Sequence, residues 1–483
     1  MEFFNPADLN TALPLIFLVL WACVLLMLAV FSKNREGLFP TLAALGLLVT
    51  GVLAWPGLNG AASAFGGMYM ADGFSAFVTL LLVVSGLLAI AISTDYVRRF
   101  NLDRPEYYIM MLFSISGMML MSSAADLIVI FIALELLSIP LYVLAAFAAP
   151  NPGSEEAGLK YFLLGAFASG FLLYGIALVY GATGATGLSE IFSAAQAGVE
   201  APVLMLIGAA LILVGLGFKV AAVPFHMWTP DVYHGSPTTV TAFMAAGAKI
   251  GGFAALIRIF VVALPSVSEA FVPVMWGVAA ATLVVGNLLA IAQNHIKRML
   301  AYSSISHAGF LMMAIVPFAN DAVRFDVVAS ALFYLLAFIL ASFGSWGVVI
   351  ALEKKEGRGL TFKDYAGLGQ SHPMLALAML VFMLSFTGIP PTLGFAGKFF
   401  LFRTVLEGGY TTLAIVGMLA SLISAYYYLR LIVVMYMQKG SPKAESSPWL
   451  LRTTLGSALA TILLFIFSEP LFDLASRALL ALG

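Results

Sequence analysis

Charge and cysteine are both scarce in this sequence. One cysteine, Cys23, occurs in 483 residues, and only 10% of residues are Asp, Glu, Lys or Arg. A lone thiol excludes a disulfide within the chain and an iron–sulfur cluster ligated by this chain alone. Lying inside the first apolar stretch, Cys23 is expected to act as a small buried apolar residue. The first ten residues hold two acids and no basic residue, so the first apolar stretch does not start like a cleavable signal peptide and is expected to be retained. Phosphate-cradling loops are missing too. Gly397-Lys398 lacks the upstream glycine and the following Ser or Thr of a Walker motif, and no dinucleotide fingerprint with a downstream acid is found. The sequence therefore carries no evident energy source of its own, and no nucleic-acid partner is expected.

What the chain does have is hydrocarbon. Hydrophobic residues make up 62% of it, far outside the soluble range. A spanning helix needs about 20 apolar residues, and fourteen such windows recur at 12–31, 38–55, 74–94, 107–122, 126–148, 158–180, 202–222, 237–262, 271–292, 299–318, 327–352, 373–408, 411–437 and 449–470. These runs are continuous and rich in Leu, Ala, Met and Phe, without the alternation a transmembrane barrel requires, so helices must satisfy the backbone. The expected fold is an all-α polytopic membrane protein of about 14 spans in a single membrane domain.

With this numbering, Lys33, Arg35, Arg98, Arg99, Arg104, Lys297, Arg298, Lys354, Lys355, Arg358, Lys363, Lys439 and Lys443 fall in loops on one face. Arg324 and Arg477 are the clearest basic residues on the other, beside Asp72, Glu190, Glu200 and Glu269. The excess of Lys and Arg marks the cytoplasmic side of a membrane, which puts both termini outside. A miscount by one span would have scattered these basic residues over both faces.

Two segments interrupt the hydrophobic rhythm in the same manner: Gly217–His226 in the seventh window, and Gly388-Ile389-Pro390-Pro391 through Lys398 in the twelfth. Each carries a lysine, and they lie five windows apart. Paired broken helices are a pointer to transporter repeats, in which unwound backbone lines a polar cavity; two unrelated proline kinks are the plainer alternative. Because five is odd, a repeated five-helix unit inserts in opposite orientations. The expected organisation is spans 1–3 in 1–106, inverted repeats of spans 4–8 in 107–264 and spans 9–13 in 265–437, and span 14 in 438–483.

A charge at the bilayer centre costs about 2.5–3.5 kcal/mol on insertion scales, so a retained one usually has a partner and a task. Glu135 in span 5, Lys219 in span 7, Lys249 in span 8 and Lys398 in span 12 are four such groups. Snorkelling to the interface is the ordinary alternative for the lysines, and a structural partnership with a lysine is the alternative for Glu135. A membrane lysine beside a carboxylate can gain or lose a proton on small rearrangements. Glu135 paired with Lys219, Lys249 as relay and Lys398 as terminus would form a proton path, with Lys160 and His307 auxiliary to it. Lys160 serves equally well as an interfacial anchor, and His307 as a packing hydrogen bonder. His226 and Asp231 are read as shaping the seventh-span break, Arg258 and Arg430 as interfacial or subunit contacts, and His295, Lys297 and Arg298 as a cytoplasmic anchor.

The run Gly217-Phe218-Lys219-Val220-Ala221-Ala222-Val223-Pro224-Phe225-His226-Met227-Trp228-Thr229-Pro230-Asp231 resembles the signature of the antiporter-like subunits of respiratory complex I. Glu156 through Gly170, Tyr302 through Gly309, and Gly388-Ile389-Pro390-Pro391 through Lys398 narrow the resemblance to the subunit N branch, whose mitochondrial counterpart is NADH dehydrogenase subunit 2. A lysine at Lys398 departs from subunit M, and subunit L is longer. The resemblance covers essentially the whole chain. It implies that Glu135, Lys219, Lys249 and Lys398 carry protons, and that this chain sits in a bacterial inner membrane among other complex I membrane subunits. It further implies that FMN, iron–sulfur clusters and quinone reside in other subunits, with no cofactor or metal in this chain. A free-standing cation/proton antiporter and a non-transporting scaffold are the competing readings.

Overall fold

The computed structural model describes residues 6–31, 37–199, 201–264, 268–354, 357–445, 447–478 and 480. Lys33, Arg35, Glu200 and Lys355 lie outside them, and of Glu269 only the backbone is described.

Each of the fourteen apolar windows is helical. In order they are Leu13–Phe31, Leu38–Ala54, Gly73–Arg99, Pro105–Ser123, Leu127–Ala145, Pro152–Thr183, Pro202–Val220, Thr238–Ala263, Ser268–Ile291, Ile296–Ile315, Arg324–Leu352, the pair Pro373–Thr387 and Leu393–Glu407, Thr411–Met437, and Pro448–Ile466. Among the described residues, eleven are long and apolar enough to cross a membrane by themselves. Of the other three, the fourth carries Glu106, two tyrosines and several serines, the tenth carries Lys297, Arg298, His307 and several serines, and the twelfth is divided by its break. Helix starts follow local capping. The Asp72 carboxylate accepts from Ser75 N and opens span 3, Asp126 accepts from Ile128 and Val129 N at span 5, and Ser447 does the same for span 14.

Spans 8 and 11 form the axis, with 100% and 94% of their most apolar stretches buried, whereas span 1 is buried over only 17%. Spans 4 and 5 form a hairpin on which span 8 packs; spans 9 and 10 form the matching hairpin on which span 13 packs. Span 6 lies on span 7 as span 11 lies on both halves of span 12. The second five-helix unit thus repeats the contacts of the first. Because consecutive spans alternate in direction, it does so upside down.

Loops around residues 96–102, 148–153, 234–237 and 295–297, with Glu353, Gly357 and Leu360, line one cavity of about 560 Å³, which fixes them on a single face. The opposite face carries a small hairpin, Ala62–Ala64 with Tyr69–Ala71, bridged from Tyr69 to Ala124. Cys23 departs from expectation. It is exposed on the outward side of span 1, because hydropathy locates a residue in the apolar slab without saying which way it points round the helix.

Candidate functional site

Span 7 stops at Val220, where Ala221 takes a left-handed conformation (φ 63°), and helix resumes only at Trp228–Gly235. Lys219 sits in the last turn before this break. Its ammonium donates to Ser138 Oγ of span 5 at 2.8 Å and to the Tyr161 hydroxyl of span 6 at 3.0 Å. The Tyr161 ring stacks on Trp228 with centroids 4.6 Å apart, and the Trp228 indole donates to the Phe218 carbonyl at 3.0 Å. The segment after the break thereby holds the hydroxyl that holds the lysine. Span 9 supports the break as well, since Thr282 Oγ1 accepts from Val223 N at 2.9 Å.

Glu135 lies one turn before Ser138 on span 5 and accepts from Ser169 Oγ at 2.5 Å. The direct Glu135–Lys219 pair expected from the sequence is not formed among the described residues: Ser138 takes the ammonium and Ser169 takes the carboxylate. Nor is Glu135 deeply buried in this chain. It is half-buried on a face shared with the exposed Ile132 and Ile139, where the outer wall of the chain meets its surroundings.

Lys249 follows directly on a π-helical turn, Met244–Ala248, in span 8. Such insertions redirect side chains and recur at functional sites. Its ammonium donates to the Ser304 carbonyl of span 10. One turn on, His307 Nδ1 bonds the Tyr334 hydroxyl of span 11 at 2.6 Å, and Nε2 bonds the Tyr428 hydroxyl of span 13 at 3.1 Å. Tyr428 continues to Ser303 Oγ at 2.5 Å. A second polar thread runs beside it, with Asn287 donating to Ser306 Oγ at 2.7 Å and accepting from the Tyr427 hydroxyl at 2.8 Å. Lys249 and Lys398 both lie within electrostatic reach of His307.

Lys398 lies in the second turn of the second half of span 12 and donates to the Thr387 carbonyl at 3.0 Å and to Ser421 Oγ at 2.7 Å, over the Phe310 ring at 4.4 Å. The Thr387 carbonyl would be met in an unbroken helix by the N–H four residues on. That residue is Pro391, which has none, and the lysine takes its place.

Lys219, Lys249, His307 and Lys398 are 3%, 2%, 4% and 4% exposed, so none of them snorkels to an interface. Lys160 is different. It is 41% exposed and ion-paired with Glu156 at 2.6 Å and Asp231 at 3.0 Å, in the anchor arrangement and without contact to Lys219. Asp231 also binds Arg298 at 2.8 Å. Burial works against the charge on Asp231, yet Arg298 and Lys160 hold its carboxyl below the usual range. His226 lies within the break and its carbonyl receives Thr229 N–H.

Lys297, read as part of a cytoplasmic anchor in a loop, is buried and donates to the Ser236 carbonyl at 2.8 Å. Beside it, the His295 and His234 rings meet edge to face at 4.3 Å. Burial first, then the neighbouring His234, Lys297 and Arg298, push the His295 imidazole down to about 3. Arg430 behaves as an interfacial group, bonding Gln293 O and Asn294. Arg258 does not: it is fully buried, with Nη2 2.9 and 3.0 Å from the two Asp72 oxygens and Nε on the Ser122 carbonyl at 2.7 Å. An acid 186 residues away supplies the partner that span-end counting could not reveal.

Sequence reasoning also missed the hydroxyls that join these groups: Ser138, Tyr161, Ser169, Tyr334, Ser421 and Tyr428. Asn287, an amide in the middle of an apolar window, was the available signal for the second thread.

Comparison with known proteins agrees with this geometry. The model of the NADH:quinone oxidoreductase/Mrp antiporter transmembrane family matches residues 124–424. A protein of Chloroflexus aggregans named NADH-quinone oxidoreductase subunit N is 44% identical, covering 99% of this chain and 98% of that one. Its namesake in Parvibaculum lavamentivorans is 41% identical over 97% of this chain and 96% of its own. A chain of respiratory complex I from Thermus thermophilus superposes with a TM-score of 0.82 at 35% identity, over 96% of this chain and 99% of that one. A chain of the Mrp complex of Dietzia shares the fold, with a TM-score of 0.87 at 20% identity over 97% of both. On the family match and these near-full-length relatives, the chain belongs to the NADH:quinone oxidoreductase/Mrp antiporter transmembrane family, in its subunit N branch.

Proposed function

We propose that this chain is the proton-translocating subunit N of an NADH-quinone oxidoreductase and moves protons through Glu135, Lys219, Lys249, His307 and Lys398. The redox chemistry belongs to other subunits, where FMN, iron–sulfur clusters and quinone reside, and other antiporter-like membrane subunits are its neighbours. The observation that carries the reading is the series of buried groups on hydroxyls and carbonyls: Lys219 on Ser138 and Tyr161, Lys249 on the Ser304 carbonyl one helical turn before His307, and His307 between Tyr334 and Tyr428. Hydroxyl chains of this kind pass protons by exchanging donor and acceptor roles. The half-buried Glu135 places a titratable group at the outer wall, where an adjacent subunit can act on it.

Access to the track from the basic face, taken here as cytoplasmic with both termini periplasmic in a bacterial inner membrane, fits the cavity lined by His234, His295, Lys297 and Glu353. Ser236 Oγ, His295 Nδ1 and Glu353 Oε2 are buried without a protein partner among the described residues. Buried polar groups of that kind are ordinarily hydrated, so water continues the path from the cavity toward Lys249. The repeats 107–264 and 265–437 supply the two halves of the relay. Lys160, held by two carboxylates, acts on Lys219 only through the Asp231 segment after the break.

Moving one proton against the membrane potential requires about 2.3 kcal/mol per 100 mV, which NADH oxidation elsewhere in the complex supplies. The test is NADH-driven proton uptake in vesicles carrying the assembled complex with Lys219→Ala. Loss of uptake through this subunit with assembly intact is expected. Normal pumping with normal assembly sinks the relay. Sodium exchange by the isolated chain would favour a free-standing antiporter instead.

A further inference from the structure

We infer that the pocket formed by Lys354, Lys363, Lys439 and Lys443 binds the phosphate of an anionic phospholipid headgroup. These four side chains come from two connections on the basic face, the one that leaves span 11 at Leu352 and the one that leaves span 13 at Met437, and they line a pocket of about 220 Å³. None of the four is ion-paired among the described residues. The acid at the rim, Asp364, is committed to its own turn, accepting from Thr361 N at 2.8 Å and Thr361 Oγ1 at 2.5 Å. Four ammonium groups around one concavity repel each other unless an anion joins them, and a phosphate oxygen is the matching acceptor.

The backbone beneath them is fixed. Gly367 and Gly440 approach so closely that a Cβ on Gly367 would lie 2.2 Å from the Gly440 carbonyl oxygen, and Lys354 N donates to Arg358 O at 2.8 Å. Glu445 N donates to Ala351 O at 2.8 Å and ties the second connection to the end of span 11. The cations are therefore mounted on a preformed floor, which lowers the ordering entropy of binding.

Position selects a lipid over a free phosphate. The pocket opens at the level where two spans end, and the residues leading from it into the apolar slab, Tyr436 and Met437, are 40% and 79% exposed. A headgroup held by the lysines would lay its acyl chains along that surface. Basic pockets at helix ends recognise anionic headgroups in this way, each lysine contributing about fivefold in affinity at low salt.

The experiment is native mass spectrometry of the subunit released from complex assembled in nanodiscs of mixed phosphatidylglycerol and phosphatidylcholine, with and without millimolar inorganic phosphate. One phosphatidylglycerol adduct per chain is expected, persisting in phosphate. It should be lost when all four lysines become glutamine and kept when all four become arginine. Should the fourfold variant fail to assemble, Lys363→Gln alone reads the same site as an approximately fivefold drop in adduct occupancy. An adduct that survives in the glutamine variants overturns the assignment, and so does a pocket that takes inorganic phosphate but no phospholipid.

Discussion

The buried Arg258–Asp72 pair offers a quantitative test of how span 8, and with it Lys249, is held in place. Both side chains are 1% exposed; the guanidinium meets both carboxylate oxygens, the Ser122 carbonyl and the Phe74 ring at 5.2 Å. Arg258→Met removes the cation that meets both oxygens of the buried Asp72 carboxylate, whose capping bond from Ser75 N at 2.8 Å remains. Stranding one member of a buried pair costs about 3–5 kcal/mol. Asp72→Asn strands the guanidinium instead, although asparagine still caps the helix. The double variant removes both charges and loses chiefly the bond to Ser122, worth about 1–3 kcal/mol. With each single variant costing about 3–5 kcal/mol and the double about 1–3 kcal/mol, the cycle should show a coupling of about 3–9 kcal/mol, and the double variant should be more stable than either single one. The assay is equilibrium unfolding of the purified subunit in mixed detergent micelles, with NADH-driven proton uptake of the assembled complex measured in parallel. Arg258 lies nine residues, about 13.5 Å along the helix, from Lys249, so its role is to anchor the relay from a distance. Uptake should persist in the double variant wherever assembly does. If the single costs add in the double variant, the reasoning from stranded charge is refuted.

Three further outcomes follow from the geometry. In Gly117→Ala a Cβ would lie 2.3 Å from the Leu137 backbone nitrogen, so spans 4 and 5 must part; a loss of about 1–3 kcal/mol should appear in the same unfolding assay, and an unchanged midpoint would contradict the packing. Tyr428→Phe removes the hydroxyl joining His307 to Ser303 and should slow proton uptake about tenfold or more without loss of assembly, as measured by stopped-flow with a pH dye. His295, held neutral near pKa 3, charges in the unfolded chain at about 6.5 but not in the folded one, so the unfolded state binds more protons as pH falls from about 6.5 toward 3. Stability is thus lost over that window, and His295→Asn should flatten the acid side of a melting-temperature profile between pH 6.5 and 5.

How much of this was legible beforehand depended on which coordinate of a residue mattered. Depth in the membrane is written in hydropathy, and all fourteen windows became helices, with the twelfth broken at Gly388–Pro391 as expected. The cost of burying charge picked out Lys219, Lys249 and Lys398 correctly as interior groups. Azimuth around a helix is not written there. Hence Glu135 turned out to face the outer wall, Cys23 the outside, and Lys297 the inside. Partnerships across the fold were least visible. Asp72 was counted as a loop acid until Arg258 reached it, and the tyrosines that bond Lys219 and His307 looked like ordinary membrane aromatics because nothing in their local sequence marks what they touch.

The coincidence of lysine and helix break has a physical explanation that also bears on how the relay moves. Breaking a helix in a medium without water strands a backbone acceptor, and some donor must meet it. At the twelfth span the Lys398 ammonium meets the Thr387 carbonyl, yet Ser421 Oγ also donates to that oxygen at 2.9 Å. When the ammonium leaves, the carbonyl keeps a partner, so the lysine can swing away without orphaning a buried group. In the seventh span the lysine stands before the break and rests only on hydroxyls, while Trp228 takes the Phe218 carbonyl. In both repeats, then, the backbone opened by the break is satisfied by a neutral donor, and the charged side chain is left free to change partners, which is the condition a proton-carrying lysine must meet.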